Sequence, residues 1–101
     1  MEPVVVTIGH RLGKEEVLRR LRPALGQAAQ SFPVIKVENE TWDHDRMDFR
    51  VRALGQTVAG HVQVFEDSVR IEAALPWLLA KFAQAVQKTI AGRGQALLQK
   101  N

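Results

Sequence analysis

From Met47 to Leu75 the chain alternates between apolar and polar positions. Met47, Phe49, Val51 and Ala53 are separated by Asp48, Arg50 and Arg52. Val58, Gly60, Val62 and Val64 repeat the pattern after Gly55-Gln56, and Val69, Ile71, Ala73 and Leu75 repeat it after Glu66-Asp67. A period of two places every second side chain on one face, so three half-buried strands are predicted. The period then changes: Leu75, Leu79, Phe82, Val86 and Ile90 follow at steps of four, three, four and four. That spacing draws one apolar stripe down a helix, with Pro76 in the first turn, where its missing N–H has no helical partner. Burying five such side chains contributes on the order of 10 kcal/mol.

Turn chemistry predicts how the strands pair. Gly55 suits the first central position of a two-residue turn at Gly55-Gln56, which sets Phe49 opposite Val62 and Met47 opposite Val64. A two-residue turn at Glu66-Asp67 sets Val62 opposite Ile71 and Val58 opposite Leu75, although that pair lacks glycine. Both pairings keep the apolar residues on one face, which a slip of one residue would destroy. A further strand from about Ile35 to Trp42 joins through Asp43-His44-Asp45. With three loop residues, Ile35 and Val37 face Ala53 and Val51, and Trp42 falls on the outer face or at the sheet edge. Changing the loop by one residue reverses these sides. Lys36, Glu38 and Glu40 suit an edge that resists further pairing.

Ahead of these strands, the β-branched run Val4-Val5-Val6-Thr7-Ile8 predicts a strand that pairs with Ser68 to Leu75. Gly9 to Gly13 turns the chain, and Lys14 to Arg22 reads as a helix with Glu15 and Glu16 in its first turn. Pro23 kinks that helix or begins a second short one, and Phe32-Pro33 ends the segment. The order is β-α-β-β-β-β-α in a single domain spanning 1–101. The fold class is α+β: an antiparallel sheet with one face covered by a long C-terminal helix, a reduced version of the helix-grip shape. Gly92-Arg93-Gly94 weakens the end of that helix, so 95–101 is expected to fray, form a second short helix or protrude.

Composition adds limits. At 46% hydrophobic and 25% charged, 101 residues make one ordinary globular domain. The chain has no cysteine, which excludes disulfides and thiolate metal sites, and it starts without a signal-peptide pattern, so a cytoplasmic location is expected. The net charge is +3, unevenly spread. From Pro76 onward there are Lys81, Lys88, Arg93 and Lys100 and no acid, whereas Lys36 to Glu72 is net acidic. The basic helices permit contact with an anionic surface, although a solvated helix face explains them as well.

Candidate chemistry is sparse. His61 falls on the polar sheet face between Arg50 and Glu72, with Glu38 beyond Arg50, and an imidazole beside a carboxylate is what a general base requires. No nucleophile or oxyanion hole accompanies it, and a cross-strand charge ladder explains the same residues. Asp43-His44-Asp45 contains three metal-ligating types, but adjacent side chains rarely converge on one ion, and these are ordinary turn residues. No phosphate loop or dinucleotide fingerprint is present, and no cofactor is expected, because Gly92-Arg93-Gly94 lies late in a helix. Nucleic acid is disfavoured: there is no tyrosine, no exposed stacking aromatic on a strand and no binding motif. Trp77, Leu78 and Phe82 crowd one end of the last helix. They are either core or, with Phe49, Gly60 and Val62, the lining of a cavity for an apolar ligand, Gly60 leaving room in the apolar face.

Several stretches are distinctive in combination: Thr7-Ile8-Gly9-His10-Arg11-Leu12-Gly13-Lys14-Glu15-Glu16, Thr41-Trp42, Arg46-Met47-Asp48-Phe49, Ala53-Leu54-Gly55-Gln56-Thr57-Val58-Ala59-Gly60 and Leu75-Pro76-Trp77-Leu78-Leu79. Together they resemble the polyhydroxyalkanoic acid system family, small bacterial proteins encoded near polyhydroxyalkanoate synthesis and granule genes. The resemblance covers nearly the whole chain. It supplies a context and no catalytic residues. It implies a non-enzymatic accessory protein that binds a granule component, a partner protein or a hydroxyacyl-type apolar ligand, cytoplasmic and in part granule-associated. Two alternatives remain open: a small-molecule enzyme using His61 and Glu72 as an acid–base pair, and a weak nucleic-acid-binding regulator using Arg19, Arg20, Lys81 and Lys88. The oligomeric state is not readable.

Overall fold

A computed structural model describes residues 2–99. Five antiparallel strands, β1 (Glu2–Gly9), β2 (Ile35–Asp43), β3 (Arg46–Ala53), β4 (Gln56–Val64) and β5 (Ser68–Leu75), form one sheet in the order β1-β5-β4-β3-β2. Helices α1 (Lys14–Leu21) and α2 (Ala24–Ser31) follow β1; a 3-10 segment, Trp77–Phe82, and the long helix α3 (Ala83–Leu97) follow β5. The fold is α+β, as the alternation and stripe imply, and Pro23 separates two helices rather than kinking one.

The faces fall as the period of two requires. Val4, Val6 and Ile8 of β1, Val69 and Ala73 of β5, Val58, Val62 and Val64 of β4, and Met47 and Val51 of β3 are buried together. Val17 of α1 is fully buried against them. The β4–β5 turn is the expected two residues: Phe65 N–H donates to the Ser68 carbonyl at 2.8 Å, and Val62 faces Ile71.

Two registers differ from expectation. The β3–β4 turn is Leu54-Gly55, with φ of 53° and 76°, so Phe49 faces Gly60 and Met47 faces Val62. Two left-handed residues make a type I′ turn, whose twist matches the flanking strands better than a turn one residue later. The shift is two positions along the strand, so the faces are preserved. In the β2–β3 pair, Ile35 and Val37 face Ala53 and Val51 as expected, but the register shifts between Val37 and Asn39, and the loop is only His44-Asp45. This bulge at Glu38 swings Trp42 opposite Met47 on the apolar face. There its ring N–H donates to Glu40 at 2.9 Å, and Arg22 lies 6.0 Å from the ring centroid.

The C-terminal helix also begins later than its stripe suggests. Leu75 is the last residue of β5, and residues 77–82 form a tighter 3-10 turn in which only Leu79 is buried. From Ala83 onward the stripe holds, with Val86, Ile90 and Leu97 packed on the core. The helix packs against β1. Gln87 Nε2 donates to the Val5 carbonyl at 3.2 Å, so the helix also occupies a hydrogen-bonding group of this edge strand. A β-carbon at Gly94 would collide with the terminal methyl of Ile8, so a larger residue there requires that buried side chain to move.

Through Leu98 the tail is held rather than frayed. Helix α3 continues through Gly92-Arg93-Gly94, and Leu98 is 4% exposed in the core. Arg20 closes the helix end, donating to the carbonyls of Leu97 and Gln99 at 2.9 Å each, while Glu16 holds its Nε at 2.8 Å. Arg93 stacks 4.6 Å from the Phe32 ring, joining α3 to the end of α2. Lys100 and Asn101, the last two residues expected to be loose, lie outside the described residues.

These contacts separate the two late glycines. Nothing lies within 4 Å of a β-carbon placed at Gly92. Gly92→Ala should therefore raise unfolding stability by about 1 kcal/mol in chemical denaturation, the helix-propensity difference. Gly94→Ala should give no such gain, and the gain should return in an Ile8→Val background, which removes the colliding methyl.

Candidate functional site

Large apolar side chains that remain outside the core are the first feature to explain. Trp77 is 78% exposed, and Leu78 and Phe82 are both exposed beside it. All three lie on the 3-10 segment that carries the chain from β5 to α3, with Lys81 Nζ 5.3 Å from the Phe82 ring centroid. Pro76 opens the segment and Leu79 anchors it, so the aromatics stand on a held backbone rather than a free tail. Neither the core role nor the cavity-mouth role expected of Trp77, Leu78 and Phe82 describes them. They form an apolar ledge at the surface.

The other proposed cavity residues do not join them. Val62 is buried in the sheet core. The space at Gly60 is not free: a β-carbon there would lie 2.7 Å from Phe49 Cζ and 2.9 Å from the Ala73 Cα, and would strike the Glu72 carbonyl. On the side where a β-carbon would point, the glycine thus admits the Phe49 ring and the β5 backbone.

On the outer face, His61 Nε2 and Glu72 carboxylate oxygen are 2.9 Å apart. The residue opposite His61 on β3 is Asp48 rather than Arg50, because of the shifted β3–β4 register. Arg50 instead faces Ala59 and sits 4.0 Å from Glu38, the neighbour anticipated for it. Pro3, Ala59, Gly60, Ala73 and Ala74 join His61 and Glu72 around a shallow hollow of about 320 Å³. No serine, threonine or cysteine lines it. The arrangement can accept and return a proton, but it offers no nucleophile.

The Asp43-His44-Asp45 side chains diverge. Asp43 meets His44 Nδ1 at 2.8 Å, whereas Asp45 accepts from Lys14 at 3.0 Å and from Gln63 at 3.0 Å. The hydrogen bonds from Lys14, then Gln63, hold the Asp45 carboxyl below its usual range. Glu16 is lowered likewise, by Arg19 and then Arg20. Two of the four cations suggested for nucleic acid, Arg19 and Arg20, are therefore engaged with Glu16, and Arg20 also with the end of α3.

Sequence reasoning passed over His10. It is buried, its Nδ1 accepts the Leu12 N–H at 3.3 Å, and its Nε2 donates to the Phe65 carbonyl at 3.1 Å. His10 thus ties the end of β1 to the β4–β5 turn. The available signal was a histidine directly after a strand in a stretch with few other turn-stabilising side chains.

Taken together, these features define a small α+β protein with one sheet, an open charged face and an exposed aromatic ledge. Residues 4–98 match the family model described as "Putative polyhydroxyalkanoic acid system protein". The chain belongs to that family. Searches of curated proteins and of solved structures return no match. No helix among the described residues is long and apolar enough to cross a membrane.

The lowered Asp45 pKa carries a pH dependence. Its stabilisation is fully present above the ordinary carboxylate range and is lost as pH falls through the lowered value. Asp45→Asn should unfold at lower denaturant concentration than the parent near pH 7, and the two midpoints should converge in acid.

Proposed function

We propose that this chain is a non-enzymatic accessory protein of polyhydroxyalkanoate metabolism that attaches to the storage granule through Trp77, Leu78 and Phe82. The observation that carries this reading is the exposure of Trp77. A large ring left in water forgoes the burial that would stabilise the free protein, and such rings are enriched where proteins meet other surfaces. Family membership supplies the granule as the setting. An apolar hydroxyacyl ligand inside the protein has less support, since Phe49 fills the space at Gly60 and Val62 is core.

In cells accumulating polymer, the parent protein should sediment with granules, and Trp77→Ala combined with Phe82→Ser should move most of it to the supernatant. Absence of the parent from granules would contradict the proposal. Both side chains are exposed, so thermal unfolding should change little.

A second reading has its own observation, the 2.9 Å His61–Glu72 pair beside the hollow. It makes the protein an enzyme acting on a small molecule by proton transfer. His61→Gln should then abolish the cellular effect of the protein while leaving granule sedimentation intact. An unchanged effect removes this reading.

A further inference from the structure

Of the exposed large apolar side chains, Val34, Leu54, Trp77, Leu78 and Phe82 gather toward one end of the sheet, whereas Val5 and Val37 lie within edge strands and Phe65 lies in the β4–β5 turn at the other end. Ile35 pairs with Ala53, so Val34 and Leu54 stand together at one end of the sheet, the end from which β5 leaves. Extending the β4–β5 register from Ala59 and Ala74 sets Val58 level with Leu75. Strand β4 begins at Gln56, so the β3–β4 hairpin reaches about 7 Å past that level. Its tip therefore extends past the end of β5, toward the level at which the 3-10 segment begins.

Leu54 is the residue that local rules explain least. It occupies the first central position of a type I′ turn at φ 53°, where asparagine, aspartate or glycine is favoured. Its side chain is 63% exposed, so no packing within the protein compensates for the disfavoured backbone. A leucine is poor for the turn and poor for the free surface; it becomes useful when an apolar phase covers it. Val34, also exposed, lines a hollow of about 220 Å³ with Leu54, and the same hollow carries Lys36 and Arg52. Across the sheet end, Lys81 accompanies Phe82. No acid follows Glu72 in the chain.

We infer that this end of the sheet is a two-footed landing face for an anionic lipid surface. Trp77, Leu78 and Phe82 form one foot, and Leu54 and Val34 form the other. Lys36 and Lys81 lie at headgroup level, where long cationic side chains keep their charge in water while their stems cover apolar surface; Arg52, beside Lys36, is shared with Glu38 at 3.6 Å. The protein then stands end-on, strands along the surface normal. His10 and the Lys14–Asp45 contact, at the far end of the sheet, point away from the surface. This rests on the ledge being the attachment point and adds the second foot, the orientation and the sign of the surface charge.

The test is flotation of the full chain with phosphatidylcholine vesicles, with and without phosphatidylglycerol. The parent should bind the anionic vesicles and release them as salt rises, because surface charge attraction is screened. Leu54→Asn should weaken that binding about tenfold, the effect of removing one buried leucine. The same substitution should raise the thermal midpoint, since Asn-Gly is the preferred pair for this turn, so lost binding cannot reflect unfolding. Lys36→Gln and Lys81→Gln should weaken binding to anionic vesicles only. If Leu54→Asn binds like the parent while Trp77→Ala does not, the second foot is overturned and the ledge stands. If the parent ignores vesicles yet sediments with granules, a protein partner replaces the lipid and this inference fails. If Trp77→Ala changes neither vesicle nor granule binding, the ledge itself is excluded.

Discussion

The packing of α3 on the edge strand β1, with Gly94 against the end of the Ile8 side chain, is the contact around which the rest of the architecture is arranged. With no β-carbon at that point, α3 settles on β1, an edge strand, and Gln87 takes up a β1 carbonyl. Glu16 and Arg20 then hold the end of the helix from α1, so the late glycines do not release it. Strand β5 neighbours β1, and the chain has seven residues, 76–82, in which to leave one and rise over the other. Within that connection Trp77–Phe82 forms a 3-10 turn. It turns Leu79 into the core and leaves Trp77, Leu78 and Phe82 outside. The exposed ledge is thus a consequence of how the helix is seated.

The two sheet faces are used differently. Helices cover the apolar face, with α1 and α2 over the β2 to β4 side and α3 over β1. The outer face carries rows of charge: Glu38 near Arg50 and Arg52, Arg46 with Asp48, and Glu72 between His61 and Arg70. Such partly solvated pairs contribute little to stability individually. They keep the open face wet and the strands in register. His61 belongs to this ladder through Glu72.

Much of the sheet was legible in the sequence because alternation survives a shift of two. Placing the turn at Gly55-Gln56 rather than Leu54-Gly55 left Phe49, Val58 and Val62 on the correct face while assigning His61 the wrong neighbour. Trp42 was unreadable because the bulge at Glu38 breaks the period without any glycine to mark it. The stripe through Val86 and Ile90 identified the helix, but 3-10 and α-helical turns share an i, i+3 spacing, so its first six residues could not be distinguished. The roles of Gly94 and Arg20 depend on partners more than 70 residues away in the chain. No local pattern encodes such partners. For the candidate site, the residues of the ledge were visible as a cluster, but a cluster of Trp, Leu and Phe reads the same whether it is core or surface.

The claim on which everything else depends is that Trp77 stands in water in the free protein. The most direct measurement is indole fluorescence of the Trp42→Phe protein, in which Trp77 is the only emitter. Emission at the wavelength of a water-exposed indole, with full access to acrylamide, is the predicted result. Blue-shifted emission shielded from the quencher would contradict it: Trp77 would then be packed under the helix, and the ledge would be part of the core.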